Sequence, residues 1–276
     1  MPFVTRDELV AEFRDTMSFC KDNPILREAV ESTNVRTKVY PVDFSEEVSV
    51  KKAGGVRVSE GRTFKAALEL HKEFPGKRIA VLNFAASGTP GGGVTGGSYA
   101  QEESLCRCST LYPSLTTEAA SEGFYSYHHN YCSWAASDTC IYSPDVVVCR
   151  DDSDLLCDRL QPEEFVKVDV ITCAAPHVFS NVVVSDEDLY SMHVKRARNI
   201  LRVCAYNGVD VFVGGAFGCG AFHNPPELVA SAWHEAMKEY GEKFDLIAFV
   251  IYVSDFPAKR KSGEDNLRAF RNEFTE

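Results

Sequence analysis

Two adjacent carboxylates sit just beyond a glycine-rich loop. Asn83-Phe84-Ala85-Ala86-Ser87-Gly88-Thr89-Pro90-Gly91-Gly92-Gly93 is followed, after seven residues, by Gln101-Glu102-Glu103. The apolar run from Ile79 to Leu82 ends in a lone amide, and the loop after it is too rich in glycine to pack through side chains. Backbone amides bared by glycine suit a polyanion. Two acids beside such a loop suit general acid–base work on whatever the anion is attached to. A phosphorylated sugar satisfies both halves. Adjacent residues of a helix project about 100° apart, so the two acids have different tasks. One faces the reacting bond and the other a neighbouring hydroxyl. Taken alone, the pair also fits an ordinary helix start, where acids are favoured; its nearness to the glycines supports the chemical reading. Asn83 offers a donor and an acceptor to a ribose hydroxyl, or simply turns the chain into the loop.

A second glycine-rich segment, Gly214-Gly215-Ala216-Phe217-Gly218-Cys219-Gly220-Ala221-Phe222, follows the apolar run Val211–Val213. It leads to Asn224, expected as an N-cap, and to Pro225 and Pro226, which suit a first helical turn. A glycine turn entering a helix N-terminus is a ready anion site. Its G-x-G pattern is a weak dinucleotide signal, and no lysine follows either loop as phosphate binding in a Walker motif requires. Phe217 and Phe222 read as core residues or as walls for a sugar or base. His128, His129, His177 and His223 lack the spacing of a ligand or catalytic pair and read as core or surface residues. Cys106 beside Arg107 has no histidine base placed near it by sequence, so a cysteine nucleophile is not favoured.

A net charge of −11 over 276 residues disfavours broad adhesion to nucleic acid or to an anionic membrane. It leaves room for a phosphate-bearing ligand in a local nest of N–H groups. The ten cysteines run from Cys20 to Cys219 without the paired spacing of a structural zinc site. No metal or cofactor is expected. The first residues lack the charged-then-apolar layout of a signal peptide, and no stretch approaches the roughly 20 apolar residues that span a bilayer. The expected location is intracellular, cytoplasmic or nuclear, with reduced thiols.

The elements that must position these residues alternate between helix and strand. Thr5 and Glu8 form a capping box ahead of Leu9, Phe13 and Met17 at helical spacing. Helices are expected at 24–32, 63–74, 102–111, 118–131, 187–206, 225–240 and 266–274. Strands are expected at 39–44, 77–84, 139–142, 146–149, 168–173, 211–213 and 246–253, with Pro144 splitting two of them. The central strands are apolar without alternation, the pattern of a mainly parallel or mixed sheet covered on both faces. No linker, repeat or low-complexity segment appears, so one α/β domain is the expected organisation. Ligands of such sheets bind beyond the carboxyl ends of strands, where both glycine loops fall.

The spacing Gly91-Gly92-Gly93, seven residues, Gln101-Glu102-Glu103 resembles the GGG-x(6–8)-QEE signature of poly(ADP-ribose) glycohydrolases. So do Asn83-Phe84-Ala85, Tyr142-Ser143-Pro144-Asp145-Val146, Val170 to Pro176 and Gly215 to Asn224. The set resembles the compact, microbial-type branch and covers nearly the whole chain. The resemblance implies a three-layer α/β/α macrodomain-like fold with a central mixed sheet. It implies a single catalytic domain over residues 1–276, with an N-terminal helical extension over about 1–35. It implies hydrolysis of the ribose–ribose O-glycosidic bond of poly(ADP-ribose), releasing ADP-ribose, with no cofactor. Glu103 would protonate the leaving oxygen and then activate water; Glu102 would bind a ribose hydroxyl of the adjoining unit and Asn83 the distal ribose. Gly91, Gly92, Gly93, Gln101, Gly218, Cys219, Gly220 and Ala221 would hold the substrate, chiefly its diphosphate, and Phe222 would pack by the terminal ribose. Poly(ADP-ribose) or ADP-ribosylated macromolecules would be the partners, and cleavage would start from chain ends. Two alternatives stay open: a hydrolase of single ADP-ribose units on protein or nucleic acid, and a non-catalytic ADP-ribose reader. The acid pair counts against a reader, because binding an anion gains nothing from two negative charges beside it.

Overall fold

The computed structural model describes residues 4–48, 51–52, 54–179, 181–254 and 257–274. The chain opens with α1 (Arg6–Asp22) and α2 (Pro24–Arg36). The expected capping box closes at α1: the Thr5 N–H donates to the Glu8 carboxylate at 2.8 Å, and the Glu8 N–H donates to the Thr5 hydroxyl at 3.3 Å. Asn23 caps α2 by accepting from the N–H groups of Ile25 and Leu26. β1 (Lys38–Tyr40), β2 (Gly55–Glu60), α3 (Thr63–Glu73) and β3 (Ile79–Phe84) follow. Next come α4 (Gln101–Cys108) and α5 (Leu111–Leu115). A continuous helical stretch then comprises α6 (Glu118–Ala120), a π-helical turn over Ser121–Ser126 and α7 (Tyr127–Tyr131). β4 (Cys140–Val148), β5 (Val166–Cys173), α8 (Asp186–Tyr206), β6 (Val211–Gly214), α9 (Pro226–Tyr240), β7 (Leu246–Ile251) and α10 (Pro257–Phe274) complete the chain.

The seven strands form one sheet in the order β1-β4-β5-β3-β6-β7-β2. β4 runs antiparallel to both its neighbours, and the pairs from β5 through β2 are parallel. Alternate residues of the apolar strands feed two separate cores, which is why these strands show no polar face. Ala80, Leu82, Ile171, Phe212 and Phe249 pack with Leu201 of α8, Trp233 of α9 and Phe270 of α10. Val81, Val170, Val213 and Ala248 pack with Phe13 of α1, Phe64 of α3, Leu105 of α4 and Phe124. Helices on both faces of a mixed sheet make the three α/β/α layers that the resemblance implies.

Several elements differ from their sequence expectations. The strand expected to reach Phe44 stops at Tyr40, because Pro41 lacks the N–H a ladder needs and the Phe44 N–H closes a turn onto the Pro41 carbonyl. The two short strands expected on either side of Pro144 are one strand, β4. A bulge between Ser143 and Val146 absorbs the proline, with Asp145 at φ +54° and its N–H donating to Asp169. β2 was not anticipated; its residues are half-exposed and polar, as an edge strand allows, so the apolar signal is weak. α10 begins at Pro257, well before the expected residue 266, and the helix at 102–111 breaks after Cys108. Asn224 does not cap α9, whose N-cap is Pro225.

β5, β3 and β6 are adjacent and parallel, so the segments after Cys173, Phe84 and Gly214 leave the sheet at one rim. α1 braces the segment after Phe84. Gly97, at φ +74°, lies so close to α1 that a Cβ there would be 2.9 Å from the Arg6 Cα and collide with the Arg6 carbonyl oxygen. Gly97→Ala is therefore expected to lower the unfolding free energy by more than about 1 kcal/mol, through left-handed strain and the clash. Urea denaturation under reducing conditions measures this; an unchanged midpoint would mean α1 is free to shift.

Candidate active site

The rim holds its acids by backbone and side-chain bonds that the sequence spacing sets up. β6 pairs with β3 only as far as Val81, so the Leu82 carbonyl and the Phe84 N–H lack a strand partner on that side. Gln101, the first residue of α4, supplies both. Its Nε2 donates to the Leu82 carbonyl at 2.7 Å and its Oε1 accepts from the Phe84 N–H at 2.9 Å. Nε2 also donates to Thr63 at 3.2 Å. Gln101 was expected among the substrate-binding residues; the structure instead uses its amide to dock α4 against the end of β3. One turn further along the same face of α4, Ser104 donates to Asp152 at 2.9 Å and accepts from Arg62 at 2.8 Å.

That docking brings the carboxylates under the glycine loop. Glu102 and Glu103 are 3% and 7% exposed, so both acids are interior groups. Glu102 is held at both oxygens: Oε1 accepts from the Asn83 Nδ2 at 3.2 Å, and Oε2 accepts from the Ala86 N–H at 2.8 Å. Glu103 is held at one: Oε1 accepts from the Gly93 N–H at 2.8 Å, while Oε2 is buried and makes no hydrogen bond. Gly92, at φ +58°, lies against both; a Cβ there would be 2.6 Å from a Glu103 oxygen and 2.9 Å from a Glu102 oxygen. Burial pushes the Glu102 carboxyl up to about 8, with the Glu103 charge adding to it, against lowering by the hydrogen bonds from Ala86 and Asn83.

Asn83 lies inside β3, not at its turn into the loop. Paired in register with Thr172 of β5, it donates to the Thr172 hydroxyl at 3.2 Å and is fully buried. Its Oδ1 makes no hydrogen bond. The two loops differ in what they offer an anion. In the first, the Gly92 N–H is taken by the Thr89 carbonyl and the Gly93 N–H by Glu103, so these glycines address the acids and the turn, not a diphosphate. In the second, Asn224 stitches the turn. Its Nδ2 donates to the carbonyls of Pro176 and Gly218, its Oδ1 meets His193 at 2.9 Å, and its N–H bonds Gly218. This is why Asn224 is unavailable as a cap. Gly218 sits at φ +79°, with Asn224 Nδ2 2.5 Å from where its Cβ would be. Cys219, expected to bind substrate, turns its thiol into the core and gives its N–H to the Ala216 carbonyl. Gly220 and Ala221 are exposed, and a Cβ at Gly220 would meet nothing within 4 Å.

The sequence reading passed over four neighbours. His177 stacks on Phe222 at 4.3 Å and 15° and contacts Phe179 at 3.7 Å, building an aromatic wall at the rim. Phe217, by contrast, is core, packed on Phe84 and His193. Arg196 of α8 is 2% exposed and donates to the carbonyls of Ala174 and Ala135, fixing the segment after β5. Tyr125, in the π-helical turn, carries a buried hydroxyl without a hydrogen bond. Burial pushes that phenol well up, with Glu102 adding to the effect and the Gly91 N–H opposing it. Only the aromatic enrichment of 118–131 hinted at such a role.

Comparison with known proteins bears on this arrangement. Residues 15–151 match the family profile described as "Microbial-type PARG, catalytic domain". No curated protein sequence matches the chain. Poly(ADP-ribose) glycohydrolase from Deinococcus radiodurans in complex with ADP-ribose is 31% identical, over 89% of this chain and 97% of that one, with a TM-score of 0.75. The chain belongs to the poly(ADP-ribose) glycohydrolase family. The glycohydrolase from Thermomonospora curvata is 27% identical, over 97% of this chain and all of that one, with a TM-score of 0.79. A glutamate-to-alanine variant of that glycohydrolase superposes with a TM-score of 0.78. The macrodomain-like fold is therefore that of the glycohydrolases, and the QEE signature sits where α4 enters the rim.

Two measurements test the geometry. Glu102 holds its proton in the folded state to about pH 8 and loses it near 4.5 when unfolded. Its contribution to stability is thus fully present below pH 4.5 and disappears between 4.5 and about 8, on the order of 1.4 kcal/mol per pH unit while only the unfolded state ionises. Glu102→Gln removes the titration. The fall in urea midpoint from pH 5 to pH 8 should be smaller in the variant; equal slopes would refute a protonated Glu102. Gly92→Val should displace both carboxylates and lower kcat on polymer by about tenfold or more; a change confined to KM would show that the loop serves binding alone.

Proposed function

We propose that this chain hydrolyses the ribose–ribose O-glycosidic bond of poly(ADP-ribose) and releases ADP-ribose. The observation that carries the mechanism is the unequal tethering of the two acids. Glu102 has both oxygens tied to protein donors, whereas Glu103 keeps one buried oxygen without a partner. Glu103 is the acid with an oxygen left to bond a leaving oxygen. With the proton of the acid pair on Glu103, that acid gives it to the leaving ribose oxygen, an oxocarbenium-like centre develops at C1″ of the terminal ribose, and the Glu103 carboxylate then takes a proton from the attacking water. Most glycosidases divide these tasks between two separated carboxylates. Here one residue serves in turn, and Glu102 and Asn83 hold ribose hydroxyls beside it. The exposed Gly220–Ala221 turn receives the diphosphate, and Phe222, backed by His177, lies beside the terminal ribose.

The reading extends to the whole chain as one catalytic unit, with α1 and α2 as an N-terminal extension braced on the site-bearing elements. Its partners are poly(ADP-ribose) and ADP-ribosylated macromolecules, and cleavage runs from chain ends. Among the described residues no helix is long and apolar enough to cross a membrane. We place the protein inside the cell, where its ten unpaired cysteines stay reduced.

The test is incubation of the purified protein with labelled poly(ADP-ribose) and, in parallel, with a mono-ADP-ribosylated protein. Release of ADP-ribose from polymer is expected. Glu103→Gln should bind ADP-ribose by calorimetry yet lose at least ~10²–10⁴ in rate. Residual activity within a few-fold of wild type would remove Glu103 from the mechanism. Release from the mono-modified protein alone would change the substrate class, and binding without release from either would leave a reader.

A further inference from the structure

Behind α4, on the side away from the loop, lies a cluster that hydrolysis does not use. The Sγ atoms of Cys108 and Cys157 and a carboxylate oxygen of Asp152 lie within 4.8 Å of one another, and all three residues are buried. We propose that Cys108, Cys157 and Asp152 form a structural site for a thiophilic divalent cation of the zinc type. A tetrahedral zinc with bonds of about 2.3 Å to sulfur sets its sulfur ligands about 3.8 Å apart, a separation this cluster allows with little adjustment.

Three observations support the assignment. First, Asp152 has room for one more bond. Its Oδ1 accepts from Arg62 and Ser104, each at 2.9 Å, and its Oδ2 accepts only the Phe64 N–H at 2.9 Å. A carboxylate offers about four lone-pair sites, so one on Oδ2 is open, and the other bonds fix the ligand in place. Second, the exchange is electroneutral. Releasing two thiol protons for one divalent cation leaves the local charge unchanged, with Arg62 still the counterion of Asp152. Third, a further carboxylate stands next to the cluster. Glu12 of α1 is 8% exposed; its Oε1 accepts from the Cys157 N–H at 2.6 Å, and its Oε2 makes no hydrogen bond, facing Arg107 at 3.2 Å. Its oxygens lie outside the 4.8 Å cluster, so ligation by Glu12 would require its side chain to turn from Arg107 toward the two sulfurs.

The ion would have no part in the chemistry. Cys108 lies five residues beyond Glu103 on α4, about 7.5 Å along the axis. The ion would tie α1, the end of α4 and the loop after β4 together, and through Ser104 on Asp152 it would brace the helix that carries both acids. No spacing rule finds this site: the C-x-C at Cys106 sends its two thiols to different surroundings, and the second sulfur comes from Cys157.

Full-length protein is stripped with chelator under reducing conditions and titrated with zinc chloride by calorimetry in two buffers of different ionisation heat. One ion bound and about two protons released per chain are expected, with a rise in Tm. Cobalt(II) should give thiolate charge-transfer absorption in the near ultraviolet. Cys108→Ser and Cys157→Ser should each abolish that band, and Cys204→Ser, in the core of α8, should keep it. Failure of the wild-type protein to bind one ion or to show the thiolate band would overturn the proposal, whether or not the variants fold. A band that survives in both cluster variants would do the same.

Discussion

Two carboxylic acids held out of water, side by side, are the constraint around which this molecule is built. Burying one such group is costly unless donors meet it, and burying two adds their mutual repulsion. The fold meets the cost with N–H groups from a loop that side chains would obstruct. Ala86 serves Glu102, Gly93 serves Glu103, and Gly92 approaches both so closely that a methyl group would overlap them. What the donors do not offset appears as a raised proton affinity of the Glu102 carboxyl. The glycines, read from sequence as an anion cradle, are first of all a cradle for the protein's own anions.

Everything behind the pair serves to keep α4 where those N–H groups can reach it. Gln101 completes the hydrogen bonding that β6 leaves open on β3, and Asp152 and Arg62 hold Ser104 one turn further along the same face. α1 closes against Gly97, and Tyr112 sits where a side chain at Gly91 would have to go. The segment between α4 and β4 carries the residues that line the underside of the glycine loop. Its buried side chains, Leu111, Leu115, Phe124 and Tyr125 among them, pack into the core on that face of the sheet.

The second loop is tethered differently. Asn224 and His193 lock the turn from inside, and Arg196 holds the neighbouring segment after β5. The tip at Gly220–Ala221 stays exposed. One loop faces inward to the acids, and the other is locked from inside with its tip turned outward.

The sequence by itself determined the α/β class, most helices, the apolar strands and the two loops, because periodicity, capping and glycine punctuation are local signals. It also determined the family, because the order and spacing of GGG and QEE survive in the chain. It missed β2, whose edge position leaves no apolar run, and it read the bulge at Pro144 as a break. Only the tertiary structure decided which polar groups face ligand and which face protein. Gln101, Cys219 and Asn224 sit in motifs that suggest binding or capping, yet the structure spends their polar groups internally, on strand edges and turns. The raised proton affinity of Glu102 and the meeting of Cys108 with Cys157 arise in the same way. Both depend on burial and on partners from distant segments, and neither burial nor partnership is encoded in any local run of residues.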